Sequence, residues 1–220
     1  MLIRVTEAQP VANPSNISSA KPLRLVVLAS GFGSLLQSML EMLDTAKVEI
    51  VAVGSDKDCP ALERAQKLQI PTFKVPFDAE AKKDRTGWDL RFLEAVSAYS
   101  PDMIVSAGFM RILGESFVEA FKDRIINTHP ALLPSFPGAH AVLDALDYGV
   151  KVTGTTVHVV DTGVDTGPIL AQEPVVVERD DTVETLHERI KVVERRLLVD
   201  VLHSIADRGM DRDGRKAYLK

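Results

Sequence analysis

Polarity runs along this chain in two rhythms. Short runs of aliphatic and β-branched residues, Leu23–Ala29, Val48–Ser55, Thr72–Val75, Asp102–Ser106 and Ile125–Thr128, alternate with longer stretches in which apolar residues recur every three or four positions. The runs predict buried strands, and the stretches Ser34–Leu43, Pro60–Leu68, Thr86–Tyr99 and Glu115–Phe121 predict helices with one apolar face. Strands and helices in alternation predict a doubly wound α/β fold on a mostly parallel sheet. After a proline-rich loop and a short helix near Ala139–Leu146 the rhythm changes. Two long runs, Val152–Val160 and Ile169–Val177, are joined only by Asp161–Pro168, too short for a helical crossover, and predict an antiparallel strand pair. A long C-terminal helix is expected from about Thr182 to Ala206, with Asp180, Asp181 and Thr182 as caps and Glu184 in its first turn.

A chain of 220 residues with 45% hydrophobic content can bury one substantial core. A single domain over residues 22–208 is expected, between a flexible N-terminal tail at 1–21 and a C-terminal tail at 209–220. The net charge of -5, with acidic and basic residues intermixed, argues against nucleic acid as a partner, so an anionic ligand would be held locally. Cys59 is the single cysteine, which excludes an intrachain disulfide and fits a reducing cytoplasm. No apolar run reaches the roughly 18 residues of a membrane span, and the first twenty residues hold no signal-peptide stretch. A cytoplasmic location is therefore expected.

Chemistry gathers where strands end. If Arg124 to Thr128 is a strand, Asn127 and His129 point to one side at its carboxyl end, and Pro130, Pro134, Pro137 and Gly138 keep the next segment irregular. Open α/β sheets bind ligands at such ends. Ala29-Ser30-Gly31-Phe32-Gly33-Ser34 leaves a strand and opens a helix, which suits either a phosphate on free amides or a plain tight turn. Gly108-Phe109-Met110-Arg111-Ile112-Leu113 sets an arginine among large apolar residues, as a ligand clamp or as a cap over a hydrophobic plug. The Asp161–Pro168 loop offers two carboxylates in a segment whose composition also suits a turn. Combined, these groups would make an acyl-transfer site with oxyanion donors and a proton carrier.

Taken in order, Ser30-Gly31-x-Gly33-Ser34, Gly108-Phe109-Met110-Arg111-Ile112-Leu113, Asn127-x-His129-Pro130-x-Leu132-Leu133-Pro134 and Asp165-x-Gly167-Pro168 resemble the phosphoribosylglycinamide formyltransferase family over about Leu23 to Ala206. The resemblance implies a Rossmann-like fold and transfer of formyl from 10-formyltetrahydrofolate, a co-substrate, to the amine of glycinamide ribonucleotide, without a metal. It implies that Asn127, His129 and Asp165 are catalytic, with Asn127 and protonated His129 stabilising the oxyanion and Asp165 supporting His129 and proton transfer. Gly31, Phe32, Gly33, Ser34 and Leu35 match the phosphate turn, although Phe32 and Leu35 stand where polar residues, often asparagines, are usual. Glu194 matches a glutamate that grips the ribose hydroxyls. Met110, Arg111, Ile112 and Leu113 match the pterin pocket, and Arg85 and Arg111 match basic residues near the folate. Outside the resemblance, the run Lys82-Lys83-Asp84-Arg85 reads as a solvated face. His158 and His140 match supporting positions, and His187 and His203 read as ordinary helix residues. The family includes dimers, so a homodimer is compatible.

Two other readings compete. Formyltetrahydrofolate deformylase and methionyl-tRNA formyltransferase use related residues, but the first would need an extra N-terminal regulatory domain and the second a C-terminal tRNA-binding domain. A non-catalytic nucleotide-binding module would use the glycine turn alone and leave Asn127 and His129 without a role.

Overall fold

Among the described residues nine strands form a single mixed sheet, and their order determines where a crevice opens. The computed structural model describes residues 21–220, so the tail expected at 1–21 lies outside the described residues except for Lys21. In chain order the elements are β1 (Leu23–Leu28), α1 (Ser34–Met42), β2 (Val48–Ser55), α2 (Pro60–Lys67), β3 (Thr72–Lys74), α3 (Ala79–Lys83), α4 (Arg85–Ser97), β4 (Met103–Ser106), α5 (Glu115–Ala120), β5 (Ile125–His129), α6 (Ala141–Tyr148), β6 (Val152–Val159), β7 (Ile169–Val176), α7 (Val183–Arg208), β8 (Met210–Asp213) and β9 (Lys216–Leu219). The sheet order is β3-β2-β1-β4-β5-β6-β7-β9-β8. Strands β1 to β5 pair in parallel, and β6 pairs antiparallel with both β5 and β7. The doubly wound sheet with an antiparallel C-terminal pair and a long terminal helix is thus as expected.

The apolar runs have a direct physical cause. Leu25 and Val27 of β1 join one core cluster with Leu36 and Met39 of α1, Leu62 of α2 and Leu202 of α7. Val26 and Leu28 join the other, with Trp88 and Phe92 of α4 and Phe117 of α5. A strand covered on both faces must be apolar at every position. The chain winds outward from β1 through β2 to β3, then crosses back to β4 on the other side of β1. The loops after β1 and β4 therefore leave toward opposite faces, and a crevice opens between them at the carboxyl edge.

Four expectations are corrected. Residues 209–220 are not a tail: β8 and β9 form a hairpin, turned at Gly214 with φ +58°, and β9 sits beside β7 through Ile169 and Lys216. Its exposed Asp211, Arg212, Asp213 and Lys216 carry no apolar alternation, so an edge hairpin held by backbone bonds left no sequence signal. The charged run Lys82–Arg85 is solvent-exposed at its first three residues, as expected, but it spans a helix boundary and Arg85 is half-buried. Asp78 caps α3 by accepting from the amides of Glu80 and Ala81, and Asp84 caps α4 through the Gly87 amide. Strand β5 runs one residue further, to His129, because β6 pairs with it as far as Thr156. The short helix starts at Ala141 and reaches Tyr148. Among the described residues, no helix is long and apolar enough to cross a membrane.

Candidate active site

The antiparallel register of β5 and β6 builds the centre of the site. Asn127 lies opposite His158, and His129 opposite Thr156. Directly opposed residues share a face of the sheet, so these four side chains stand together. Asn127 Nδ2 is 3.2 Å from His158 Nε2. His158 Nδ1 lies 3.1 Å from the Val159 carbonyl, which can only accept, so this nitrogen carries the proton. The Thr156 hydroxyl donates to the Ala131 carbonyl at 2.7 Å and accepts from the Leu133 amide, while Gln172 donates to the Leu133 carbonyl. These bonds pin the chain as it leaves β5.

Asp165 reaches this group from the β6–β7 loop, in a left-handed conformation with φ 52°. Its Oδ2 accepts the Gly138 amide at 2.8 Å and lies 3.3 Å from His129 Nδ1, and its Oδ1 lies 3.6 Å from His158 Nε2. The neighbouring His158 ring is the main cause that holds the Asp165 carboxyl below its ordinary range; burial opposes this, and the Gly138 amide and His129 reinforce it. His129 is 4% exposed, and its Nε2 donates to the Phe136 carbonyl at 2.7 Å. Both ring nitrogens of His129 therefore face acceptors. The donor expected from His129 to an oxyanion is thus turned inward, toward the Phe136 carbonyl and Asp165.

On one side of this centre lies the turn after β1. Gly33, at φ +71°, caps α1, and a Cβ there would stand 2.8 Å from Ala61 Cβ. Only glycine lets α1 begin in contact with α2. Phe32 is 79% exposed, and Ser34 is exposed at the first position of α1, whereas Leu35 packs into the core. Leu35 therefore reaches a ligand only through its backbone. Arg64 Nε donates to the Phe32 carbonyl at 3.0 Å and braces the turn from α2. Glu194 is half-buried on α7. Burial raises its carboxyl above the ordinary range, and the side chain of Thr128 partly counters this. Thr128 falls between Asn127 and His129 on β5, so Glu194 approaches from the opposite face of the sheet.

On the other side lies the segment after β4. Phe109 stacks on Phe92 at 5.2 Å, while Met110 and Ile112 are exposed. Arg111 Nε donates to Asp56 Oδ2 at 2.7 Å, and its guanidinium lies 4.6 Å from the Phe77 ring centre. Arg85 lies over Phe77 and Trp88, pairs with Asp89 and donates to the Ile112 carbonyl. Of the residues expected from sequence, Asn127, His129 and Asp165 meet around His158, whereas Leu35 turns into the core and Glu194 approaches from the other face of the sheet. Asp56, Arg64 and the Gly138 amide were not among them; His158 was expected only in a supporting role, and the register of β5 with β6 brings it to Asn127. Among the described residues, no three His, Cys, Asp or Glu side chains cluster to hold a metal ion.

An amide, two imidazoles and a carboxylate at the mouth of a switch-point crevice are the groups an acyl-transfer enzyme needs. The chain belongs to the formyl transferase family, whose model matches residues 23–202. It is 53% identical over 207 residues to the phosphoribosylglycinamide formyltransferase of Mycobacterium tuberculosis, covering 94% of this chain and 95% of that one. The glycinamide ribonucleotide transformylase 1 of Symbiobacterium toebii superposes with a TM-score of 0.83 at 37% identity, over 90% of this chain and 94% of that one. A formyltetrahydrofolate deformylase of Pseudomonas syringae also reaches a TM-score of 0.83, at 28% identity, over 91% of this chain but 67% of that one.

Proposed function

We propose that this enzyme transfers the formyl group of 10-formyltetrahydrofolate to the amine of glycinamide ribonucleotide, a step of purine synthesis. The observation that carries this assignment is the meeting of Asn127, His129 and Asp165 between two ligand-ready loops in a chain 53% identical to a formyltransferase of that name. The substrate amine attacks the formyl carbon and forms the new C–N bond, giving a tetrahedral centre with a negative oxygen. The Asn127 amide donates to that oxygen, and the His129 imidazolium stabilises it by charge. Asp165 faces His129 and, through water, moves a proton from the attacking nitrogen to the folate nitrogen as the old C–N bond breaks. The backbone from Gly31 to Leu35 and the Ser34 hydroxyl hold the ribonucleotide phosphate, and Glu194 accepts from the ribose hydroxyls. The Met110–Leu113 segment reads the pterin edge, with Arg85 and Arg111 near the acidic end of the folate.

Small molecules, rather than nucleic acid or membrane, are the partners that suit a net charge of -5. Work in the cytoplasm as a homodimer belongs to the same proposal; cell fractionation and light scattering check it. The likeness to the deformylase favours one second reading, hydrolysis of the formyl donor. Both are tested by following the ultraviolet spectrum of the donor with and without glycinamide ribonucleotide. Deformylation that requires the ribonucleotide and yields its formyl product is expected, and equal deformylation without it would establish the hydrolase.

A further inference from the structure

We propose that Asp56 is a positioning residue for the formyl donor, holding the Gly108–Leu113 segment in register with the Ser30–Ser34 turn. The role rests on the proposed transferase activity and deepens it. Asp56 follows the last residue of β2 and is 2% exposed. Its Oδ1 accepts the Ser30 hydroxyl at 2.6 Å, its Oδ2 accepts Arg111 Nε at 2.7 Å, and its carbonyl accepts the Phe77 amide at 3.0 Å. Each partner belongs to a different piece of the crevice rim. Ser30 opens the ribonucleotide turn, Arg111 lies in the donor segment, and Phe77 supplies the ring beneath the Arg111 guanidinium.

The chemistry of the carboxylate makes this arrangement directional. A hydroxyl has one proton, and Asp56 claims the one on Ser30. The oxygen of Ser30 is thereby turned into an acceptor, and the Met110 amide donates to it at 3.0 Å. The Ser30 amide in turn donates to the Gly108 carbonyl at 3.1 Å. One buried carboxylate thus sets the direction of a hydroxyl, the pose of a guanidinium and the height of the donor segment against the phosphate turn. A buried carboxylate is costly unless it is fully partnered, and apolar packing alone would be served by an aliphatic residue here. The partners lie along the rim between the two substrates, where displacement of one loop against the other alters how the donor seats. An amide in place of the carboxylate would present an N–H to Ser30 or to Arg111, both of which need an acceptor.

Steady-state kinetics with each substrate varied separately tests the proposal. Asp56→Asn is expected to raise the donor KM about tenfold, equivalent to about 1.4 kcal/mol, with kcat and the ribonucleotide KM within about threefold of native. Ser30→Ala, which removes the acceptor of Met110 but keeps the Arg111 pair, is expected to raise the donor KM in the same direction. The double variant is expected to bind donor no worse than about twofold below Asp56→Asn alone, because both act through one chain of bonds. An unchanged donor KM, or equal rises in both KM values, in folded Asp56→Asn overturns the role. If that variant does not fold, Ser30→Ala decides, and an unchanged donor KM there overturns it. A native protein without transferase activity overturns the activity assignment instead; the Asp56 role is then judged by calorimetry with a folate analogue that carries no formyl group, where the same tenfold loss supports it and equal affinity refutes it.

Discussion

The two rims of the crevice are built from different material. The turn after β1 offers backbone: Gly31, a left-handed Gly33 and the free amides at the start of α1, with Leu35 turned into the core. The segment after β4, with Arg85 reaching it from α4, offers side chains: Arg85 and Arg111 over aromatic rings, each paired with a carboxylate, beside exposed Met110 and Ile112. A phosphate is recognised by its charge and needs only amides that point at it. A large flat ligand needs walls and a fixed polar edge. Under the proposed function, binding duties are divided between the rims, and Asn127, His129, His158 and Asp165 in the centre are left for chemistry.

The sharpest break of that division comes from the centre. Asp165→Asn keeps the shape and an acceptor for the Gly138 amide but removes the charge that faces two imidazoles. Its kcat is expected to fall by about three powers of ten or more, as for other residues that hold a catalytic imidazole, with both KM values near native. A selective loss of donor binding, seen in single-turnover kinetics, would move Asp165 onto a rim. Asn127→Ala is expected to cost about two to three powers of ten in kcat, the usual loss for one oxyanion donor. An active, folded variant would remove Asn127 from the chemistry.

What the sequence makes legible depends on how far each signal travels along the chain. β1 was legible because both of its faces are buried, so Leu23–Leu28 is apolar throughout apart from Arg24. Asn127 and His129 were legible because they sit two apart at a strand end before Pro130. The contact between His158 and Asn127 spans 31 residues, and Asp56 meets Ser30 across 26 and Arg111 across 55. Neither pairing leaves a local pattern, since each depends on the sheet order. The β8–β9 hairpin was invisible for another reason: an edge hairpin buries little, so its sequence need not alternate.

Away from the Ser30–Asp56–Arg111 link, the rims should fail separately. Gly33→Ala places a Cβ 2.8 Å from Ala61 Cβ at φ +71°, and the left-handed conformation alone costs about 1–2 kcal/mol. A lower melting temperature and a raised ribonucleotide KM are expected, with the donor KM unchanged. Arg85→Lys keeps the charge but loses the planar stack on Phe77 and Trp88, and about a tenfold rise in donor KM alone is expected. If either variant moved the other substrate's KM, the rims would not be independent.

The finest test is a titration of Glu194. Burial holds its carboxyl above the ordinary value of 4.5. Between that value and the raised one, the folded chain binds more protons than the unfolded chain. The contribution of Glu194 to stability is therefore complete below 4.5 and lost as pH rises through its folded pKa. Asp165 behaves oppositely: its folded pKa is depressed, so its contribution is present above the ordinary 3.8 and lost as pH falls through the folded value. Binding by Glu194 runs against its own stability, since ribose hydroxyls are held best by the ionised carboxylate. The ribonucleotide KM is expected to rise as pH falls through the folded pKa of Glu194, while the donor KM stays level. Glu194→Gln removes the buried charge, so its melting temperature above that pKa should exceed native. Its ribonucleotide KM should rise only about fivefold, since a neutral acceptor keeps roughly half the strength of a charged one, and its pH dependence should vanish. A native ribonucleotide KM that is flat with pH, or a Glu194→Gln variant that is less stable than native at alkaline pH, would take Glu194 off the ribonucleotide rim.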